Sequence, residues 1–333
     1  MEHTEPVSEN AKPAVAADVY VAYPPKYLPA ANNTNIWIKS IVSLALYLVL
    51  GYFIFPDVKI LILITIVVLI HELGHFLAMK YFGYKDLGMF FIPLLGAYVS
   101  GTKKEISQRE SAIILLAGPL PGIIIGLLLQ IPIGHQPHAV FAGVPLQYIS
   151  LLFVFLNIIN LLPIYPLDGG QLLNRVFLNE NETISRIFII ISIVVICWFV
   201  WKHNFPFLLI FPVMMVARMF GEKQQNRLEQ KVECSGINTN IDYEELPDKD
   251  YWEIRKIVIE EIQLFKDITP GPPFEYSHKE EKIMNVIQNL MHRYLIQDVS
   301  VLGKLLIFII WVLAAASPWL FKMNLSFFNQ FLR

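Results

Sequence analysis

Runs of about twenty mostly apolar residues recur along this 333-residue chain, and they restrict its fold more than any other feature. A hydrocarbon core of roughly 30 Å takes about 20 helical residues to cross. Residues 36–55, 58–82, 111–134, 140–162, 184–203 and 303–322 meet that length, and a shorter run at 205–220 carries Pro206 and Pro212. Composition agrees: 55 % of residues are hydrophobic and 16 % charged, against roughly 45–50 % and about 25 % in soluble domains. Chain-wide disorder, collagen and coiled coil are excluded. The expected class is an all-α integral membrane protein of about seven transmembrane helices. A net charge of −2 provides no broad basic surface, so no nucleic-acid partner is expected.

Lys/Arg bias orients the spans. Lys80, Lys85, Lys103, Lys104 and Arg109 cluster in the 80–110 loop, whereas the 135–139 connection has no Lys or Arg. With seven spans this places the N-terminus inside, with 80–110, 163–183 and 221–300 on the cytoplasmic side. Residues 1–35, polar and holding five prolines, are expected to be a disordered cytoplasmic tail rather than a signal peptide. Residues 36–220 form the membrane unit and 301–333 a last membrane helix. Between them, 221–300 is polar, with ten basic and sixteen acidic residues. Two amphipathic helices are expected there, at 251–265 and 281–296, separated by Pro270, Pro272 and Pro273. Trp201, Trp311 and Trp319 read as interface anchors. Cys197 and Cys234 are too few for a disulfide framework.

The chemistry lies in the second run, VVLIHELGHFLAMK. His71 and His75 stand at i and i+4, on one helical face, and both imidazoles can reach one ion. Glu72 adjoins the first ligand, where a carboxylate serves as general base. Three ionisable residues inside an apolar span are expensive and default to function. A catalytic zinc usually takes three protein ligands. The strongest candidate for the third is Asp168 in NLLPIYPLDGGQLLNR, where Pro163 and Pro166 break the helix and Gly169–Gly170 permit a tight turn. His75 lies five residues before Lys80, roughly 8 Å of helix rise from the cytoplasmic end. The Asp168 loop falls on that same side. The segment 89–101, MFFIPLLGAYVSG, is too short to cross and reads as a re-entrant hairpin or an interfacial loop.

HELGH at 71–75 and N-x-x-P-x-x-x-L-D-G from Asn160 to Gly169 resemble the paired signatures of the site-2 protease family of intramembrane zinc metalloproteases (peptidase family M50). The resemblance covers roughly residues 58–178. It implies His71, His75 and Asp168 as ligands of one zinc per chain and Glu72 as catalytic base. It also implies Asn160 as a substrate contact, and Gly96, Ala97, Tyr98 and Val99 as a strand that pairs with unwound substrate. The implied partners are a single-span transmembrane protein substrate and the lipid bilayer, in a bacterial cytoplasmic membrane. Pro121-Gly122 departs from the family's Ala-Asn, so no substrate-contacting asparagine is carried over there.

Two other readings use the same residues. A prenyl-protein-processing type of membrane protease would take a glutamate as third ligand, but no downstream apolar span contains one; Glu180 and Glu182 sit in a loop. A non-proteolytic scaffold or transporter would use the metal structurally. Transporters commonly show paired broken helices, and this chain has one asymmetric constellation.

Overall fold

The structure, a computed structural model, describes residues 23–28, 35–55, 57–93, 96–103, 105–291 and 295–323. These described residues are mostly helical, with three two-stranded sheets among them. The membrane unit opens with helices α1 (Ile36–Ile54) and α2 (Val58–Tyr81). Asp57 caps α2 by accepting from the Lys59 amide at 2.8 Å, and Gly83, at φ +77°, follows its last turn. Strands β1 (Lys85–Ile92) and β2 (Gly96–Thr102) then form an antiparallel hairpin that pairs Phe90 with Tyr98 and Phe91 with Ala97. The hairpin lies against both helices. Ser43 of α1 accepts the Phe91 amide at 3.1 Å.

A short strand β3 (Ile106–Ser107) leads into a broken helix: α3 (Gln108–Ala117), α4 (Pro119–Leu128) and α5 (Gln130–His135). The first break falls at Gly118, before two prolines at the start of α4. Strands β4 (Val140–Phe141) and β5 (Val144–Pro145) make a small hairpin before α6 (Leu146–Asn160). The chain turns through Pro163 and Pro166 into α7 (Asp168–Leu172), which continues as a π-helical turn to Leu178. Helices α8 (Glu182–His203) and α9 (Ile210–Cys234) follow, then α10 (Asp248–Glu261) and α11 (Glu280–Leu290). A short strand β6 (Leu295–Ile296) pairs parallel with β3, and α12 (Val301–Leu320) closes the described chain.

Five stretches among the described residues are helices long and apolar enough to cross a membrane: 36–54, 58–81, 108–135, 182–203 and 301–320. The two other apolar runs of the seven expected form shorter or only partly apolar helices. The 140–162 run spends its first residues in the β4–β5 hairpin. Its helix, α6, has 15 residues, about 23 Å of rise, short of the roughly 30 Å core. The 205–220 run is a 3-10 turn at 206–209 followed by the apolar end of α9, whose other end is charged. Pro212 is tolerated because it sits in the first turn, where a backbone N–H has no helical partner.

The polar block 221–300 has its own core, in which the end of α9 packs with α10 and α11 around Trp252, Ile254, Val258, Ile283 and Ile287. At its centre Arg255 and Glu280, each 1 % exposed in the side chain, form a buried ion pair at 2.7 Å. The Ser277 amide and Tyr251 hydroxyl also donate to Glu280, so the carboxylate is fully partnered. The tail does not follow the sequence expectation throughout. Residues 23–28 are an extended strap held against this block, while 1–22 and 29–34 lie outside the described residues.

Burial opposes ionisation of Glu280, but Arg255, the Ser277 amide and Tyr251 hold its carboxyl below the ordinary range. Its stabilising contribution is complete above the unfolded-state value of about 4.3 and is lost as pH falls through the lower folded value. Amides of α10 and α11 should therefore exchange faster on acidification below about pH 4. Glu280→Gln leaves Arg255 buried and unpaired, with an expected loss of about 3–5 kcal/mol, and removes this carboxylate's share of the pH dependence. Hydrogen exchange against pH measures both.

Candidate metal centre

His71 and His75 lie one turn apart on α2, both buried. Each ring is fixed through its Nδ1. His71 Nδ1–H donates to Asn157 Oδ1 at 2.8 Å, and His75 Nδ1–H donates to the Ile114 carbonyl at 2.8 Å. Asn157 is itself set by donating to the Phe153 carbonyl at 2.7 Å, which turns its oxygen toward His71. An outer hydrogen bond of this kind fixes a ligating histidine's tautomer. Both Nε2 lone pairs then point to a common space.

Asp168 enters that space from the start of α7, with Oδ2 3.0 Å from His71 Nε2 and 3.3 Å from His75 Nε2. The two Nε2 atoms are 3.1 Å apart. Asp168 Oδ2 is buried and accepts no hydrogen bond. These facts test the fit of a metal. A tetrahedral ion with ligands at about 2.0–2.1 Å separates them by about 3.3 Å, close to the three distances found. Two neutral imidazoles and one carboxylate are a donor set that zinc accepts. The residues present fit zinc. Among the described residues this is the metal-ligating cluster found, and Glu180, the alternative third ligand, instead pairs with Lys304.

Glycines make the convergence possible. A Cβ on Gly74 would lie 1.9 Å from the Ala117 carbonyl oxygen, so α2 and the α3–α4 break touch backbone to backbone. A Cβ on Gly118 would lie 2.3 Å from His75 Nε2, and one on Gly122 2.1 Å from Asn157 Nδ2. Gly169 abuts the Leu161 carbonyl, which also accepts the Trp311 indole N–H at 2.8 Å. Tyr165, in the same loop, donates its amide to Ser192 of α8 at 3.1 Å. The Asp168 loop is thus held by α6, α8 and α12 together.

A cavity of about 570 Å³ opens on these groups and is also lined by Glu72, Asn160, Arg175 and all of Gly96, Ala97, Tyr98 and Val99. β2 pairs with β1 alone among the described residues, leaving its other edge unpaired. Asn160 donates one amide hydrogen to the Leu156 carbonyl at 3.1 Å, and a carboxamide nitrogen has a second to give. The sequence reading missed two supports. Asn157 holds His71; its place one turn before Asn160 is the one signal the sequence offers. Trp311, taken as an interface anchor, holds the Asp168 loop, and nothing in its local sequence marks it. Arg175 borders the cavity as well.

Gly118→Ala should displace the His75 ring and abolish stoichiometric zinc, with helix content unchanged by circular dichroism. Asn157→Leu frees His71 to rotate and should weaken zinc about 10–100-fold. Metal analysis after dialysis against graded chelator reads both.

Residues 59–142 match the model of peptidase family M50. A zinc metalloprotease of Methanocaldococcus jannaschii is 30 % identical over 188 residues, covering 54 % of this chain and 52 % of the relative. Stage IV sporulation protein FB of Bacillus subtilis is 34 % identical over 123 residues, covering 36 % of this chain and 40 % of the relative. The chain thus spans about half the length of the curated relatives it matches. A solved site-2 protease from Methanocaldococcus jannaschii matches at 25 % identity and a TM-score of 0.39, over 56 % of this chain and 87 % of that one. The stretch that matches the peptidase family M50 model contains His71, Glu72 and His75, and it is over this part that the chain is similar to that family.

Proposed function

We propose that this chain is an intramembrane zinc endopeptidase that hydrolyses peptide bonds of single-span membrane proteins near their cytoplasmic ends. The carrying observation is the meeting of His71 Nε2, His75 Nε2 and Asp168 Oδ2 within 3.3 Å of one another, beside the carboxylate of Glu72. In this reading the three residues hold one zinc per chain. When bound, zinc supplies Lewis acidity, polarising a carbonyl and easing deprotonation of water.

The chain's own residues supply the rest. Glu72 takes the proton of the attacking water and passes it to the leaving amine. A substrate helix satisfies its own backbone, so its peptide bonds are closed to attack until it unwinds. The unpaired edge of Gly96–Val99 can take up the unwound segment by strand addition, with the hairpin re-entrant at membrane depth. The remaining amide hydrogen of Asn160 is available to the substrate backbone or to the developing oxyanion. The Lys/Arg bias supports a cytoplasmic N-terminus, with the 80–110 loop and the polar block on that side. A bacterial cytoplasmic membrane is the setting in which this reading places the protein, and regulated intramembrane proteolysis its role.

Glu72→Gln should retain one zinc and lose cleavage of a single-span substrate by at least about a hundredfold, the scale of general-base catalysis. Cleavage at the wild-type rate by a zinc-loaded Glu72→Gln chain would overturn the assigned base.

A further inference from the structure

The polar block carries an aromatic groove, and residues 23–28, Tyr-Pro-Pro-Lys-Tyr-Leu, lie in it. Consecutive prolines fix φ near −65° and restrict the residue before them to extended conformations, so this segment is stiff before it binds. The groove reads its backbone. Trp252 donates its indole N–H to the Pro24 carbonyl at 2.7 Å, the Tyr276 hydroxyl donates to the Pro25 carbonyl, and the Tyr243 hydroxyl donates to the Tyr27 carbonyl. The Lys26 amide donates to Asp248 Oδ1 at 2.8 Å. The groove also reads side chains. Tyr23 packs on Phe274 at 5.0 Å between centroids and Tyr27 on Tyr276 at 5.5 Å. Lys26 Nζ donates to the Glu244 and Leu246 carbonyls at 2.6 and 2.7 Å.

Aromatic side chains presenting N–H and O–H donors to the carbonyls of a proline-rich segment are the physical basis of polyproline recognition. We infer that the groove formed by Tyr243, Trp252, Phe274 and Tyr276 is a recognition site for proline-rich extended peptides, filled in cis by residues 23–28. The cis segment is also a tether. Seven Cα–Cα steps separate Leu28 from Asn35, at most about 25 Å, so the occupied groove keeps the polar block near the start of α1. A free peptide must compete with a tethered one, whose effective concentration is in the millimolar range.

The test uses the full-length chain in detergent and a fluorescent peptide of residues 20–30. A strap variant combines Pro24→Ala, Pro25→Ala and Lys26→Ala. By anisotropy, the peptide should bind the strap variant at least about tenfold more tightly than the wild type, whose groove is occupied. Replacing both prolines of the peptide by alanine should remove that binding. Adding Tyr276→Phe, at a half-exposed position, should weaken it about fivefold by loss of one hydrogen bond. Equal binding to both chains, indifference to the prolines, or no binding by a strap variant with protected α10 amides would overturn the inference. A second measurement needs no strap variant. In the otherwise unaltered chain the Lys26 amide should be protected from hydrogen exchange, about fivefold less so in Tyr276→Phe. A Lys26 amide exchanging at the free-peptide rate would overturn the inference as well.

Discussion

Two imidazoles and one carboxylate share a space a few ångströms wide inside an apolar protein, and much of the membrane unit is arranged to keep them there. Without a cation between them, Asp168 Oδ2 has no hydrogen-bond donor, an expensive state for a buried oxygen. The surrounding helices leave little room for adjustment. Gly74, Gly118, Gly122 and Gly169 each stand where a methyl group would overlap a neighbouring atom. The site therefore depends on backbone contact between α2, the α3–α4 break, α6 and the Asp168 loop. Asn157 and the Ile114 carbonyl then decide which nitrogen of each ring faces inward.

The elements that carry no ligand also serve the site. Helix α12, far along the chain, reaches back through Trp311 to the Leu161 carbonyl and steadies the turn that delivers Asp168. Helices α8 and α9 grip the same loop at Tyr165, through Ser192 and through Arg218, which donates to the Tyr165 hydroxyl. At Gly122 the missing side chain is what lets α4 close on Asn157.

The polar block is built on different physics. Its centre is a fully partnered ion pair, Arg255 with Glu280, set among aromatic and branched aliphatic residues. Among the described residues it meets the membrane unit at the parallel bridge between β3 and β6, where the Arg109 amide also donates to Asp298, and along a second cavity of about 450 Å³ bordered by Arg175, Arg218 and Leu290. Arg175 borders both this cavity and the one that opens on the histidines.

The HELGH run, the Asn160-to-Gly169 signature and two amphipathic helices in the polar block were legible because each is local: residues at i and i+4 share a helix face whatever surrounds them, although the helices expected at 251–265 and 281–296 end at Glu261 and Leu290, and Leu295–Ile296 is strand β6. Five of the apolar runs likewise became long helices, since length and hydrophobicity are properties of a segment. The run at 140–162 yields a shorter helix than its length suggests, because hydropathy does not register the hairpin that consumes its first residues. The helix of the 205–220 run continues past the apolar stretch, which hydropathy does not register either. The contacts of Asn157, Trp311 and the strap at 23–28 could not be read locally, for one reason. Their partners lie 86, 150 and more than 200 residues away, and a hydrogen bond between distant segments leaves no periodicity in either. The sequence alone thus determined which side chains could bind a metal and on which helix two of them stand. Tertiary packing, through glycine-to-backbone contact and long-range hydrogen bonds, decided that they meet, which ring nitrogens they present, and what holds Asp168 in place.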